Sequence, residues 1–425
     1  MDFRTLPQGQ RVTLENLTVP ACLAGRSGDL ATISLTIEND RIVEGGGGET
    51  LDMARAIVFP AFVDMHTHLD KGHIWPRSPN PDGTFFGALS ATQGDREARW
   101  SAEDVRRRMD FALRCAYAYG TGAVRTHLDS IPPQDDISWP VFAEMRQDWA
   151  GRITLQAVNL IGCEGMEVDG GGPFARTADM VAKMGGALGM VTYPVPDLRE
   201  RLRTFFRMAD ARGLSCDFHV DETMDPTSAT LRMIAEVALE MGVEMPIVVG
   251  HCCSLSTQEE SEALGTIDLL ARQGIQVVSL PLCNLYLQDR RTRGTPRGRG
   301  ITLVHEMHAR GVKVSFASDN TRDPFYAYGD LDMLEVMREA TRIGHLDHAA
   351  EDWPKAFTTH PATACGFEAP SLQPGAPADL VMFRARTWTE LLARPQSDRI
   401  VLRRGRAIDR TLPDYAELDD LMEAQ

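Results

Sequence analysis

Eight short apolar segments, most of them separated by roughly 30 residues, constrain the fold of this 425-residue chain more than any other feature. The first is the run 61–63 in Phe59-Pro60-Ala61-Phe62-Val63-Asp64-Met65-His66-Thr67-His68, followed by 124–128, 154–160, 188–193, 216–220, 246–250, 276–280 and 313–317. Each is short and apolar enough to be a strand buried on both faces. Between them lie amphipathic stretches, such as 102–117, 198–211 and 227–241, with apolar residues at three- and four-residue intervals. Eight buried strands alternating with helices predict an α/β chain folded as a (β/α)8 TIM-like barrel.

The two ends depart from this rhythm. Residues 1–58 read as short strands at 11–17, 33–37 and 41–43, with Gly45 to Gly48 as a flexible turn that lacks the Lys-Ser/Thr of a phosphate loop. After residue 365 the chain returns to strands at 378–383 and 399–402, so 1–58 and 366–425 are expected to pair beside the barrel of 59–365. Residues 414–425 are acidic and read as a surface helix or frayed tail. The connection 69–101, containing Trp75-Pro76-Arg77-Ser78-Pro79-Asn80-Pro81-Asp82-Gly83, is too long for a simple loop and reads as a substrate lid carrying Phe85 and Phe86.

Composition narrows the partners. A formal net charge of −16, with no Lys/Arg-rich run to offset it, disfavours nucleic acid and anionic membrane surfaces. The eight cysteines form no CxxC pair, which suits reduced thiols in the cytoplasm. The first sixteen residues lack the apolar core of a secretory signal, and no membrane-spanning run is present. A small-molecule substrate is the expected partner, and a homo-oligomer is compatible with the sequence.

Active sites of such barrels lie where the strands end. Strand one ends with His66 and His68, which share one side of the strand at i and i+2. Strand five carries His219, followed by Asp221 and Glu222; strand six ends at His251, and Asp319-Asn320 follows strand eight. Three histidines and an aspartate can close around one Zn²⁺ or Fe²⁺ and leave a position for water. A divalent cation lowers the pKa of that water from ~15.7 to ~7. Asp319, as a ligand beside it, can take its proton. Glu222, just past the ligand His219, can carry a proton to the substrate from a dry pocket, with Asp221 as the substitute carrier. His251 can hydrogen-bond the water or polarise the reacting centre. His127 also ends a strand and stands behind the ligands. Strand four, Gly189-Met190-Val191-Thr192-Tyr193, has no lysine to bridge a second ion, the nearest being Lys183 in a helical stretch, so one metal per chain is expected.

These motifs resemble the amidohydrolase superfamily, and within it the bacterial cytosine deaminases and their relatives. The resemblance runs through HTHLDK, VRTHLDS, LQAV, DFHVDE, GHCCSLS, PLCNLYLQDRR, ASDNTRDPF and PGAPADLVMF. It implies one metal held by His66, His68, His219 and Asp319, catalytic roles for Glu222 and His251, and a small β-sandwich built from both termini. Two departures stand out. The cytosine deaminases place an amide-binding glutamine after strand three, where this chain has Cys163-Glu164, and a tryptophan beyond a second strand-eight aspartate, where it has Asn320 and Phe325. Cys163, Glu164, Asn320, Phe325 and Phe85 are therefore the expected substrate contacts. Nucleoside deaminases of the HxE/PCxxC type are excluded, because the PCxxC half is missing.

The implied reaction is release of ammonia from an amino-substituted N-heteroaromatic ring of cytosine, isocytosine or pterin type. Hydrolysis of an N-alkyl amine or cyclic amide is the alternative within the superfamily. A binding protein with a dead site would require the proton carrier to be missing, and Glu222 is present.

Overall fold

Parallel pairing carries the chain from Phe62–Thr67 to Thr121–Asp129 and Thr154–Leu160 in one sheet, and through Leu188–Thr192, Cys216–Val220, Ile247–His251, Gln276–Ser279 and Val314–Phe316 in a second. Isolated parallel bridges join these sheets at both seams: Val158 to Ala187 and Gly162 to Val191 on one side, Thr67 to Asp319 on the other. The computed structural model, which describes residues 11–348 and 352–423, is therefore an eight-stranded, TIM-barrel-like arrangement. All eight expected strands are present, displaced by a few residues at most. The first ten residues, which include most of the stretch inspected for a signal, and the last two of the acidic tail lie outside the described residues.

The helices form where the apolar spacing places them. Ala102–Tyr119 starts at Ser101, whose side chain accepts from the Asp104 amide, and stops at Gly120, whose φ of 98° suits only glycine. Its buried face, including Val105, Met109, Ala112, Leu113 and Ala116, packs into the main core. Closing the barrel stacks such faces around strands that expose almost nothing, and burial of this kind is worth about 25 cal/mol per Å² of apolar surface.

The two chain ends meet in one eight-stranded sheet whose path runs from 406–407 through Ile400–Arg403, Leu380–Phe383, Ile57–Pro60, Arg11–Pro20 and Leu30–Glu38 to Arg41–Val43. Glu49–Asp52 pairs with Arg11–Pro20 off this path. Phe59 and Pro60 thus still belong to the terminal sheet, and the first barrel strand begins at Phe62. A separate apolar cluster, with Leu14, Leu17, Val19, Val58, Leu380 and Leu402, lies within this sheet.

The long connection after the first barrel strand is not an extended loop. Residues 69–74 are buried, and Phe85–Arg99 forms a helix capped by Thr84. Arg77 pins the segment through Asp95 at 2.8 Å and Asp104 at 2.5 Å. Asn80 donates to the Pro324 carbonyl, and Arg290 donates to that of Gly83, so the segment lies across the connections that follow strands seven and eight.

Candidate active site

Four side chains from three strands converge at one end of the barrel. His66 lies in strand one, His68 one residue beyond it, His219 in strand five and Asp319 three residues after strand eight. Asp319 is fixed at the seam, where its amide donates to the His66 carbonyl and its own carbonyl accepts from Thr67 Oγ1 at 2.8 Å. Gly250 makes room for the His66 ring: a Cβ there would stand 3.1 Å from Cε1. Asp319 and His251 both hold positive φ, 62° and 67°, and such backbone conformations concentrate at functional sites.

The spacing of the donor atoms is informative. His68 Nε2 is 3.2 Å and His66 Nε2 3.6 Å from Asp319 Oδ1, and His219 Nε2 is 3.5 Å from His68 Nε2. Ligands at 2.0–2.2 Å around a tetrahedral ion stand about 3.3–3.6 Å apart, so these separations match the edges of one coordination shell. Both ring nitrogens of His66 and both oxygens of Asp319 are buried without a hydrogen-bond partner. In a folded interior such atoms are ordinarily satisfied, and a cation among them would take one nitrogen of His66 together with an oxygen of Asp319. The residues present therefore fit a divalent metal.

Electrostatics agree. Burial, then the neighbouring rings and Lys71, hold the imidazoles of His66, His68 and His219 well below the ordinary range, leaving them neutral as metal ligands must be. Burial pushes Asp319 up to about 7. A bound cation reverses that shift. Asp64 braces the same seam from below, accepting from the Ser318 hydroxyl and amide.

Beside this set stand Glu222 and His251. Glu222 is held well above the carboxylate range by burial and then by the charge of Asp319. Its Oε1 is 3.4 Å from His251 Nδ1 and 3.5 Å from Asn284 Nδ2. Asn284 Nδ2 also lies 3.0 Å from His251 Nδ1. An amide nitrogen can only donate, so Nδ1 accepts and the neutral ring keeps its proton on Nε2, which has no other partner. The ligand atoms of His66, His219 and His251 all lie within 4.8 Å of one another, which puts His251 at the edge of the coordination shell.

The remaining expected residues divide. Phe325 meets Phe85 edge-on at 5.6 Å, and Asn320 donates to Asp323 at 2.7 Å while its oxygen faces Cys283 Sγ. Cys163 and Glu164 sit in the turn after strand three. The Cys163 thiol faces the Tyr193 carbonyl, Glu164 is exposed, and among the described residues no hydrogen bond or ion pair joins either to the histidines. His127 packs on His66 with ring centroids 4.0 Å apart and faces Asp217, itself paired with Arg125 at 2.8 Å. Asp221 has no spare capacity: its carboxylate accepts from the Ser228 and Thr230 hydroxyls and from the Thr230 and Leu231 amides. Lys183 is exposed in the helix Gly172–Met184.

Sequence reasoning missed Lys71, Asn284 and Gln288. The last two stand at i and i+4 around the helix Pro281–Leu287, and Gln288 donates to the Glu222 carbonyl at 3.1 Å. That spacing was the available signal.

The comparisons with known proteins follow this geometry. The profile of the amidohydrolase family matches residues 121–408. The chain is 50% identical to the pterin deaminase of Rhizobium rhizogenes strain K84, with 99% of each chain covered. The structure of 5-methylcytosine deaminase from Klebsiella pneumoniae, liganded with 5-fluorocytosine, superposes with a TM-score of 0.80 at 24% identity, over 95% of this chain and 98% of that one. For N-isopropylammelide isopropylaminohydrolase from Burkholderia multivorans the TM-score is 0.75 at 24% identity, over 94% and 98%. At such identity the superpositions speak for the fold. Among the described residues no helix is long and apolar enough to cross a membrane.

Proposed function

The chain belongs to the amidohydrolase family, hydrolases acting on C–N bonds, and on that premise we propose that it is a metal-dependent aminohydrolase that releases ammonia from an amino-substituted N-heteroaromatic ring, with pterins favoured over cytosine. The observation that carries this is Glu222, a nearly enclosed carboxyl whose pKa burial raises, placed beside Asp319 of the His66/His68/Asp319 group. The likeness to a pterin deaminase along nearly the whole chain supports the choice of ring.

In this reading His66, His68, His219 and Asp319 hold one Zn²⁺ or Fe²⁺ per chain, and the exposed Lys183 contributes no second site. A divalent ion so held supplies an acidified water at neutral pH. Glu222 gives its proton to a ring nitrogen of the substrate and recovers one at the same carboxyl, which its raised pKa permits. His251 donates from Nε2 toward the attacking oxygen, its tautomer held by Asn284. His127 stays behind His66 as a packing partner, and Asp221 anchors the loop that presents Glu222. We read the catalytic barrel as beginning at Phe62, past the expected boundary at 59 because Ile57–Pro60 pairs in the terminal sheet, and the strands of 11–60 and of 380–407 as a small β-sandwich. The apolar core enclosed by the terminal sheet supports that division.

Ring preference follows from what lines the site. Phe325, with Phe85 against it, stands where relatives carry tryptophan, and no glutamine clamp follows strand three. Phe85 takes up room beside the smaller aromatic, so the preference rests on the missing clamp: a pyrimidine's amide edge would go unpaired, and sites discriminate against rings that leave polar groups unpaired. Steady-state kcat/KM on a panel of amino-pteridines, purines and pyrimidines tests it. The expected order puts a pterin first; cytosine exceeding every bicyclic ring overturns the preference. Release of an alkylamine or a ring-opened acid in place of ammonia would install the alternative hydrolase reading.

A further inference from the structure

Lys71 is a largely buried cation held only by a loose ion pair and an aromatic face. It follows the ligand His68 by three residues and is 4% exposed. Its Nζ lies 3.9 Å from Asp129 Oδ1, beyond hydrogen-bond reach, and Arg96 already holds the other oxygen of that carboxylate at 2.9 Å. Among the described residues no acceptor takes a hydrogen bond from Nζ, whose other neighbour is the face of Phe325, 4.8 Å from the ring centroid. An ammonium has three donors and no acceptor capacity. Nζ is held by a loose ion pair and is not fully enclosed, so its donors remain available to an incoming acceptor. A structural counter-ion would sit closer to its carboxylate than this one does.

The position selects what the missing partner is. Lys71 lies three residues past His68 with Nζ over the face of Phe325, which puts it on the aromatic side of the histidine and aspartate group. Phe325 and Phe85 form the wall beside it. A flat ring entering between that wall and the metal set passes its edge along Nζ. Asp129 beside Nζ and Asp323 behind Phe325 already supply negative charge there, which disfavours a second full anion. A neutral acceptor, the oxo oxygen of an amino-oxo heterocycle, suits one ammonium better.

We propose that Lys71 is a substrate-reading residue, donating hydrogen bonds from Nζ to a ring oxo oxygen, so that the protein selects amino-oxo heteroaromatic rings over amino rings lacking that oxygen. This deepens the aminohydrolase reading above and rests on it. The test measures binding on a Glu222→Gln background, where turnover is suppressed, with 2-amino-4-oxopteridine and 2-aminopteridine as probes. Adding Lys71→Met is expected to leave metal content unchanged and to raise the dissociation constant of the oxo ring about 10- to 150-fold, the loss of a hydrogen bond to a charged group. The ring without the oxygen should change less than about threefold by the same measure, and Lys71→Arg should restore part of the difference. If the Met variant fails to hold metal, Lys71→Gln carries the same comparison. Equal loss for both rings, or loss for neither, overturns the proposal while leaving ammonia release by the unaltered protein intact. Absence of ammonia release from any amino heterocycle overturns the underlying reading and this proposal with it.

Discussion

Glu222→Gln isolates proton transfer from everything else the site does. The carboxyl is nearly enclosed, its side chain 13% exposed, and its near neighbours are His251 Nδ1 at 3.4 Å and Asn284 Nδ2 at 3.5 Å. A glutamine of the same size can keep the contact to Asn284 through its amide oxygen. It mimics the neutral form that burial favours for Glu222. Metal content and substrate binding should therefore survive. What disappears is the exchangeable proton, and general acid–base catalysis is worth about 10²- to 10⁴-fold in rate, or about 2.7–5.4 kcal/mol of barrier at 1.36 per decade. The assay is single-turnover ammonia release beside elemental analysis and equilibrium binding of the ring. Turnover within about threefold of the unaltered protein would refute the assignment, a change far below what general acid–base catalysis contributes. The role could not then pass to Asp221, whose carboxylate is consumed by four hydrogen bonds; it would fall to His251.

His219→Ala should lose metal and activity together, since four ligands leave little redundancy, and elemental analysis of the unaltered protein should find one ion per chain; stoichiometric metal in the variant would displace His219 from the set. Asp221→Ala should cost about 3–5 kcal/mol, because it strands the buried Ser228 hydroxyl and the Thr230 and Leu231 amides and leaves the Thr230 hydroxyl only Thr192, and a melting temperature left unchanged would show that the anchor is dispensable. Phe325→Trp should narrow the wall beside Phe85 and raise kcat/KM for cytosine relative to pterins, and an unchanged ratio would locate ring selection elsewhere.

The barrel was legible because strands buried on both faces cannot hide among polar residues: 154–160 and 216–220 coincide with observed strands residue for residue. The convergence of His66, His68, His219 and Asp319 was legible for a related reason, since His66 and His68 flank one residue of a strand end and His219 and Asp319 recur in phase with later strands. The helix Phe85–Arg99 escaped, its pattern weakened by Gly87 and Gly94 and by the Pro-rich approach. The strands at 49–52 and 57–60 escaped because they are four residues each, and Glu49–Asp52 has one buried residue. Asp221 looked like a proton carrier by adjacency to Glu222. Only the fold shows that the chain turns there with φ of 47° and aims the two carboxyls apart, one into the helix start at Thr230 and the other at His251.

The pH dependence of stability tests the site as a whole. Burial holds His66, His68, His219 and His251 neutral, the last down to about 3, whereas unfolded imidazoles titrate near 6.5. The unfolded chain thus binds more protons there, and these groups lose stability as pH falls below 6.5. Burial pushes Asp64 and Asp323 to about 6, Asp319 to about 7 and Glu222 well above its usual range. The folded chain then binds more protons, and these four groups lose stability as pH rises from about 4 toward 7. Each proton difference contributes about 1.4 kcal/mol per pH unit, so either set alone would tilt the curve by about 5 kcal/mol per unit, while together they nearly cancel. The site's own contribution to the melting temperature of the metal-free protein should stay nearly flat between pH 4 and 6. A divalent cation breaks the balance, because it requires deprotonated ligands and favours ionised Asp319. The gap in melting temperature between metal-loaded and chelated protein should therefore widen steadily from pH 4 to 7. A gap that stays constant across that range would mean that the ion does not sit among these histidines and Asp319.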